Sequence, residues 1–274
     1  MNSSISGVIL CGGLSARMGR PKALLPWRGQ PLISWMVSCL SRFLEDIVVV
    51  SSAGLELPEL AARVVVDRTA NLGPLGGIRE ALHAIRCESA FITSTDAPDL
   101  DAAVIDALSA AAPTAAFEVN GWIEPFPALY ARQLATLADT LLAQGRRRPL
   151  HLLEAGSFQR LDGAAWAARG MFDNFNTPAE YLSAVRAVEG QPTVTVVLSG
   201  SAETAANKSQ MTIDVGSLRE VLRALEPQLQ LVEGDQVASH VELILGTQPV
   251  TNLELPLGPG EQLLVRDATK LQAM

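Results

Sequence analysis

Short apolar runs alternate with longer segments of helical periodicity from residue 5 to about residue 186. The runs of strand length are 7–10, 47–50, 64–66, 91–94 and 114–119. Between them, apolar residues recur every three or four positions, and the first such segment follows Pro31, a residue favoured in the first turn of a helix. This order is typical of βαβ units. It predicts a three-layer αβα fold around a mostly parallel, twisted sheet.

A change of pattern at 188–193 predicts a domain boundary. This segment is rich in Gly, Pro and polar residues. Beyond it, 193–198 and 211–215 alternate like an antiparallel pair, a capping box at Ser217 starts a helix, and 240–245 and 253–265 complete a ββαββ order. We therefore predict an α/β domain at 1–189 and a small α+β domain of β-grasp type at 190–274.

Composition and charge exclude several classes of protein. With 48% hydrophobic residues over 274 positions, the chain can fill one or two cores. Its 21 Lys and Arg against 29 Asp and Glu give a net charge of −8, which would repel a nucleic acid, so any polyanion that it binds should be small. Three widely spaced cysteines favour a reducing cytoplasm, and no apolar run or signal peptide indicates a membrane.

A glycine-rich, basic segment follows the first predicted strand directly. It reads LCGGLSARMGRPK and places Gly12 and Gly13 at the carboxyl end of a parallel strand, where open α/β sheets bind ligands. Glycines let backbone N–H groups approach phosphate oxygens, and Arg17, Arg20 and Lys22 would add positive charge. On the glycines alone, a plain turn with solvated basic residues is the simpler interpretation. The spacing matches neither a P-loop nor a dinucleotide fingerprint.

Two further elements fall at the ends of later strands. Asp67 precedes a turn with Gly73, Gly76 and Gly77 ahead of a helix N-terminus, where amides and the helix dipole favour an anion or a base carbonyl. Asp96 follows another strand and is a natural ligand for Mg²⁺, which needs only one or two protein carboxylates beside substrate phosphates. Each aspartate alone is also explained as a turn cap. Together, the three strand ends predict one cleft.

These segments resemble the signature of nucleotidyltransferases with the sugar-nucleotide synthetase fold, and in particular of the molybdenum cofactor guanylyltransferase family. The resemblance covers about residues 6–186. Besides the first glycine-rich segment, it rests on GPLGGI at 73–78, DAP at 96–98, IEPFPALY at 123–130 and NFNTP at 174–178. It implies an enzyme that transfers GMP from GTP to molybdopterin with Mg²⁺ and releases pyrophosphate.

The resemblance also implies a set of site residues. Lys22 would act on the phosphates with Arg17, and Asp96 would bind the metal. Ser51 would lie near the guanosine, and Asn174 and Asn176 would face the pterin. The full set implied at nucleotide and cofactor is Leu10, Cys11, Gly12, Gly13, Lys22, Ser51, Asp67, Gly73, Gly76, Gly77, Asn174 and Asn176.

Departures from the family pattern leave alternatives open. Pro21 stands where the family often has an acidic residue, and Arg-Pro-Lys is common in related cytidylyltransferases, whereas the Gly-Pro-Leu-Gly-Gly turn favours guanine. A cytidylyltransferase for the same cofactor and a sugar-phosphate nucleotidyltransferase are therefore the rival enzymes. A scaffold that binds nucleotide and cofactor without turnover is the rival from another class, and the presence of Lys22 and Asp96 argues against it.

The C-terminal domain resembles, more weakly, the ubiquitin-like sulfur-carrier subunit of molybdopterin synthase. Such carriers work through a terminal Gly-Gly, whereas this sequence ends in KLQAM, so that chemistry is not expected. Two interpretations remain. The domain is a degenerate carrier kept for docking to a second copy of the chain or to molybdenum cofactor pathway proteins, or it is a purely structural addition.

Overall fold

The computed structural model describes residues 2–12, 17–67, 72–225 and 229–268. Gly13, predicted at the nucleotide, lies outside the described residues. The helices are α1 (Leu32–Leu40), α2 (Pro74–Ala84), α3 (Ala102–Ala111), α4 (Ala135–Ala143), α5 (Pro149–Gly156), α6 (Ala164–Ala167), α7 (Pro178–Glu189), α8 (Ser201–Ala206) and α9 (Leu218–Ala224), with 3₁₀ turns at Lys22–Leu24 and Arg132–Leu134.

The strands begin with β1 (Asn2–Cys11), which contains the first predicted run. The others are β2 (Pro26–Trp27), β3 (Gln30–Pro31), β4 (Leu44–Ser52), β5 (Arg63–Asp67), β6 (Ser89–Ser94), β7 (Ala115–Val119), β8 (Trp122–Ala131), β9 (Gln159–Asp162), β10 (Thr193–Leu198), β11 (Gln210–Asp214), β12 (Gly216–Ser217), β13 (Val232–Glu233), β14 (Gln236–Val237), β15 (Val241–Leu245), β16 (Gln248–Pro249), β17 (Pro256–Leu257) and β18 (Gln262–Asp267).

Two compact units divide the chain, and both contain early and late residues. The first unit comprises the described residues of 1–14, 22–24 and 31–174, and the second comprises those of 15–21, 25–30 and 175–274. The C-terminal part of the second unit thus begins at Phe175 and includes α7, whereas the sequence predicts a boundary at 189/190. The reason is that Phe175 stacks on Trp27 and contacts Tyr181 of α7, with ring centroids 5.9 and 5.4 Å away.

The first unit is built on a sheet in the order β5-β4-β1-β6-β8-β7-β9. β1 pairs in parallel with both β4 and β6, and β8 runs antiparallel to its two neighbours. Val8 and Ile9 point to opposite faces of β1 and are both fully buried, so both faces of the sheet are covered. These features confirm the predicted α/β fold with a mostly parallel sheet.

Helix α2 covers the sheet next to the carboxyl ends of its strands. Its apolar face, formed by Leu75, Ile78 and Leu82, belongs to the same buried cluster as Val8 and Val50 of the central strands. Burying side chains of this size contributes roughly 1.5–3 kcal/mol each relative to exposure. The packing fixes the turn that precedes α2 over the ends of β1 and β4.

Asp46 fastens the amino-terminal side of the same sheet. Its carboxylate accepts hydrogen bonds from the hydroxyl of Ser6 on β1 (2.6 Å), from Arg63 Nη2 on β5 (2.7 Å) and from the backbone N–H of Arg86 (3.1 Å). Burial alone would raise the pKa of Asp46, but the bonds from Ser6, Arg63 and Arg86, with the charge of Arg63, lower it below its ordinary value. Three strands are therefore tied together at the side away from the predicted cleft.

The second unit contains a five-stranded mixed sheet in the order β11-β10-β18-β15-β16. The predicted antiparallel pair is present as β10 and β11, and β10 also pairs in parallel with β18. The predicted capping box is confirmed, because Ser217 and Glu220 at the start of α9 bond each other's backbone N–H groups. The resemblance of this region to a sulfur carrier stays a prediction.

No helix within the described ranges has the length and apolar character that crossing a membrane requires.

Candidate functional site

The strand order of the first unit reverses at β1. The chain runs from β1 to β4 and β5 on one side and then returns to β6 on the other, so the carboxyl ends of β1 and β6 flank a topological switch point. In such sheets the crevice at the switch point is the usual place for a ligand. Leu10 lies opposite Ser94 here, and the Thr95 N–H donates to the Leu10 carbonyl at 3.2 Å.

Lys22 and Asp96 meet at this switch point. Lys22 Nζ lies 2.8 Å from Asp96 Oδ2, and the Ser94 hydroxyl donates to Asp96 Oδ1 at 2.6 Å. The Lys22 side chain is 14% exposed and that of Asp96 is 21% exposed. Both charged groups are therefore mostly buried but still accessible to solvent. Two residues 74 positions apart therefore form one partly buried cation–carboxylate pair where the strand pattern predicts a cleft.

A row of predicted nucleotide residues continues along the same sheet edge. Cys11 lies opposite Ser51, and the next residue of β4 lies opposite Asp67 at the end of β5. Adjacent strands are about 4.8 Å apart, so the edge from Asp67 to Asp96 spans three intervals, or roughly 14 Å. This length is comparable with an extended nucleoside triphosphate.

The turn before α2 is closely packed, which explains its glycines. A Cβ on Gly76 would lie 2.7 Å from Leu72 Cβ and 3.3 Å from Asp67 Oδ2, and a Cβ on Gly77 would lie 3.3 Å from Leu10 Cδ2. Gly73 has a φ of 67° in the left-handed region, which glycine adopts without strain. These contacts fix the glycines through packing, so a contact of theirs with a nucleotide stays a prediction.

The N-terminus of α2 is less open to an anion than its sequence suggests. Pro74 has no N–H, the Leu75 N–H donates to the Arg147 carbonyl at 3.3 Å, and the Gly76 N–H donates to the Gly73 carbonyl at 3.0 Å. Helix N-termini bind anions through N–H groups that lack partners. The exposed 146–148 segment thus occupies one of the N–H groups of this helix N-terminus through the carbonyl of Arg147.

Cys11 and Gly12 end β1 in contrasting surroundings. Burial raises the pKa of the Cys11 thiol from 9.0 to about 12, so the side chain remains protonated at neutral pH. Gly12 is exposed, and a Cβ there would meet no atom of the described residues within 4 Å. Any contact of Cys11 with a nucleotide would run through its backbone, and the space above Gly12 is where a ligand could approach the chain.

The remaining predicted residues are exposed and are not part of this row. Arg17 and Asn176 belong to the second unit, whereas Asn174 is the last residue of the first. Asn176 donates its backbone N–H to Glu180 Oε2 at 2.6 Å. The roles of these three residues stay predictions.

Arg20 differs from its expected role. Its guanidinium forms two contacts with Glu261, Nη2 to Oε1 at 2.8 Å and Nη1 to Oε2 at 3.0 Å, so the expectation that it serves a bound anion is not supported. Sequence reasoning missed Glu261 because the partners are 241 positions apart. The only local signal was that Glu261 adjoins the Gly258-Pro-Gly260 turn.

The donor chemistry around Asp96 fits a magnesium ion. Carboxylate oxygens keep spare lone pairs after accepting one hydrogen bond each, and Mg²⁺ prefers oxygen ligands. Within the part of the chain that the structure describes, no group of three or more His, Cys, Asp and Glu side chains could hold a metal.

Comparisons with known proteins identify the family to which the first part of the chain is similar. The model of a family described as the MobA-like NTP transferase domain matches residues 7–159. A probable molybdenum cofactor guanylyltransferase of Mycobacterium ulcerans is 33% identical over 196 residues, which are 67% of this chain and 94% of that protein. Another, of Mycobacterium avium, is 35% identical over 167 residues, covering 57% and 84% of the two chains.

Among solved structures, molybdopterin-guanine dinucleotide biosynthesis protein A from Archaeoglobus fulgidus superposes with a TM-score of 0.54. The identity is 22%, and the superposition covers 65% of this chain and 96% of the other. At that identity the likeness concerns the fold. The C-terminal residues from 160 onward lie outside the segment that the family model matches.

Proposed function

The chain belongs to the family of MobA-like NTP transferases, and from this premise we propose that it transfers GMP from GTP to molybdopterin. The observation that carries the proposal is the Lys22–Asp96 pair at the switch point of the sheet. In the reaction, an oxygen of the terminal phosphate of molybdopterin forms a bond to the α-phosphorus of GTP. The bond from that phosphorus to the bridging oxygen breaks, and pyrophosphate leaves with the electron pair.

Lys22 supplies positive charge to the phosphates in this proposal. Its ammonium is partly buried, so its attraction to an anion is screened less than that of a surface lysine. The backbone of Leu10, Cys11 and Gly12 would support the nucleotide beside it, with Ser51 and Asp67 further along the sheet edge. Catalysis then consists of positioning and charge neutralisation and needs no covalent enzyme intermediate.

Asp96 would hold Mg²⁺ together with the phosphates. When bound, the ion neutralises charge that develops on the phosphoryl oxygens. Ser94 orients the Asp96 carboxylate by donating to Oδ1. Lys22, paired with Asp96, would add positive charge to the same triphosphate.

The pterin side of the reaction is assigned to Asn174 and Asn176, because side-chain amides can both donate to and accept from a pterin edge. Arg17 would add charge near the phosphates. We place the reaction in the cytoplasm, within an α/β domain at 1–189, and assign the β-grasp-like residues 190–274 to a supporting role.

The first test measures nucleotide selectivity on the full chain. Thermal unfolding is followed with GTP, CTP, ATP or UTP, each with Mg²⁺, and a selectively bound nucleotide at 100 times its Kd adds about 2.7 kcal/mol of stability. We expect GTP alone to raise the Tm clearly. A larger rise with CTP would replace the proposal by a cytidylyltransferase, and no rise with any nucleotide would contradict it.

Turnover separates an enzyme from a scaffold. With GTP, Mg²⁺ and molybdopterin we expect pyrophosphate release, reduced at least about a hundredfold in Asp96→Asn, which keeps the shape of the side chain but removes its charge. Molybdenum cofactor guanylylated at the wild-type rate by Asp96→Asn would remove the metal role from Asp96. Binding of GTP without any turnover would favour the scaffold.

A further inference from the structure

The residues on both sides of Lys22 pack into the second unit. Lys22–Leu24 belongs to the first unit, but the described residues just before it, 17–21, and just after it, 25–30, belong to the second with the last hundred residues of the chain. Met18 and Leu25 are fully buried and Trp27 is almost so. The proposed phosphate-binding lysine therefore extends from a stretch of backbone that the C-terminal residues hold on either side.

Glu261 makes the main polar contacts with the residues that precede Lys22. Both of its carboxylate oxygens accept from the Arg20 guanidinium, and Oε2 also accepts the Gly258 N–H at 2.7 Å. The Arg20 and Glu261 side chains are only 17% and 14% exposed. A bidentate Arg–carboxylate pair is geometrically specific and stronger than a neutral hydrogen bond. Arg20 Nη1 also lies 3.5 Å from the Pro256 carbonyl.

Neighbouring contacts support the same segment. Gly19 has a φ of 71°, and a Cβ there would lie 2.7 Å from Asn252 Nδ2 and 3.3 Å from Leu255 Cδ1. On the far side of Lys22, the Tyr181 hydroxyl donates to the Pro26 carbonyl at 2.6 Å. The Arg28 N–H donates to Glu189 Oε1 at 2.7 Å. The segment has no room to shift without breaking these contacts.

We propose that Glu261 is a positioning residue for Lys22. It holds Arg20, and Arg20 is joined through Pro21 to Lys22, so the carboxylate fixes the backbone from which the ammonium reaches the phosphates. The role rests on the proposed guanylyl transfer and assigns residues 190–268 a task inside the enzyme, that of holding the nucleotide segment. Arg20 is neutralised in this arrangement and serves as a structural anchor.

The test compares Glu261→Gln with Glu242→Gln in the full chain. In Glu261→Gln an amide NH₂ replaces one of two oxygens that face only donors, so at least one contact with Arg20 or Gly258 is lost. Glu242→Gln is the control, because Glu242 of β15 forms the same kind of pair with Arg266 of β18 at 2.8 Å, and neither residue belongs to the 17–30 segment or is covalently next to Glu261. Both variants are assayed below their melting temperatures.

We expect Glu261→Gln to raise the KM for GTP about five- to tenfold and to leave the KM for molybdopterin within about twofold. Amide hydrogen exchange in peptides spanning 17–30 should also become faster, and Glu242→Gln should change neither quantity. Glu261→Asp, which keeps the charge, should fall between the two. A lower Tm with an unchanged KM for GTP and unchanged exchange would overturn the proposal, because that is the behaviour of a merely stabilising residue.

A failure of the proposed function gives a different result. If the wild-type chain binds Mg·GTP but shows no turnover, guanylyl transfer is wrong, and the Kd of Mg·GTP then decides the role of Glu261. An increase of about five- to tenfold in that Kd for Glu261→Gln alone supports the positioning role. Equal Kd values for the wild type and both variants contradict it.

Discussion

Gly7 and Gly12 belong to one short stretch of chain but are glycines for different reasons. A Cβ on Gly7 would lie 2.8 Å from Ile47 Cδ1 and 3.1 Å from Leu44 Cδ1. The packing around this strand therefore requires a residue without a side chain. Among the described residues, nothing lies within 4 Å of a Cβ built on Gly12. Packing against the described part of the chain therefore does not account for glycine at position 12, and the proposed nucleotide contact offers a reason for it.

This contrast predicts opposite results for two alanine substitutions. Gly7→Ala overpacks the core and should cost about 1–3 kcal/mol of unfolding free energy. Gly12→Ala should leave the Tm almost unchanged and raise the Kd for GTP about tenfold, because its methyl group would occupy the space above the backbone. Thermal unfolding and titration calorimetry separate the two effects, and unaltered GTP affinity in Gly12→Ala would argue against a nucleotide at this position.

At the scale of strands and helices, the buried parallel strands of the first unit were predictable, whereas β8, which runs antiparallel to its neighbours, was not. The runs at 47–50 and 91–94 correspond to β4 and β6, because both faces of these strands are covered and most of their residues are buried. β8 was missed as a strand, since Pro125 and Pro127 interrupt its pattern and proline argues against a central strand. Its pairing with β6 and β7 is a tertiary property.

The contacts of Asp46 predict how the stability of the first sheet depends on pH. Asp46→Asn removes the charge that holds Ser6 and Arg63 and should lower the unfolding free energy by about 1–3 kcal/mol while leaving the KM for GTP unchanged. Since folding lowers the pKa of Asp46, its contribution exists above its ordinary pKa near 4 and is lost as pH falls. The difference in unfolding free energy between the wild type and Asp46→Asn, measured by urea unfolding, should therefore become smaller from pH 6 to pH 3.

The matched control for Asp46→Asn is Glu118→Gln. Glu118 pairs with Arg160 at 3.1 Å, but both side chains are well exposed, so its loss should cost at most about 0.5 kcal/mol. Equal costs for the two substitutions at pH 6 would show that the ties of Asp46 do not stabilise the sheet.

Over the whole molecule, the sequence predicted contacts that follow from sheet topology and missed contacts between distant loops. Lys22 and Asp96 were expected together because parallel strands end at a common edge. Arg20 and Glu261 were not, since no periodicity relates a loop at one end of the chain to a turn at the other. The same holds for Trp27 and Phe175, whose stacking moves the start of the second unit ahead of α7.

A buried thiol and two buried tyrosine hydroxyls predict that the protein loses stability at alkaline pH. Burial raises the pKa of Cys11 to about 12 and also raises the pKa of Tyr130 and of Tyr181, the last with help from the charges of Glu261 and Glu189. Groups with raised pKa values stabilise the fold below their unfolded pKa, and this stability is lost as pH rises. Each contributes a slope of about 1.4 kcal/mol per pH unit between the pKa of its unfolded form and that of its folded form.

Urea unfolding between pH 8 and pH 11 measures this slope. We expect the unfolding free energy of the wild type to fall steadily above about pH 9, and Cys11→Ala to fall less steeply, whatever its stability at pH 8. Parallel curves for the two proteins would mean that Cys11 ionises normally in the folded chain.

The interleaving of the two units has a consequence for biosynthesis. Trp27 leaves the ribosome 148 positions ahead of Phe175, which at about 5–20 residues per second is a delay of roughly 7–30 s. During that interval Trp27 cannot stack on Phe175, which has not yet been synthesised. The delay is longer for Arg20, whose partner Glu261 is synthesised later still. Completion of the nascent segment around the proposed catalytic lysine is therefore postponed until Glu261, 241 positions after Arg20, has been synthesised.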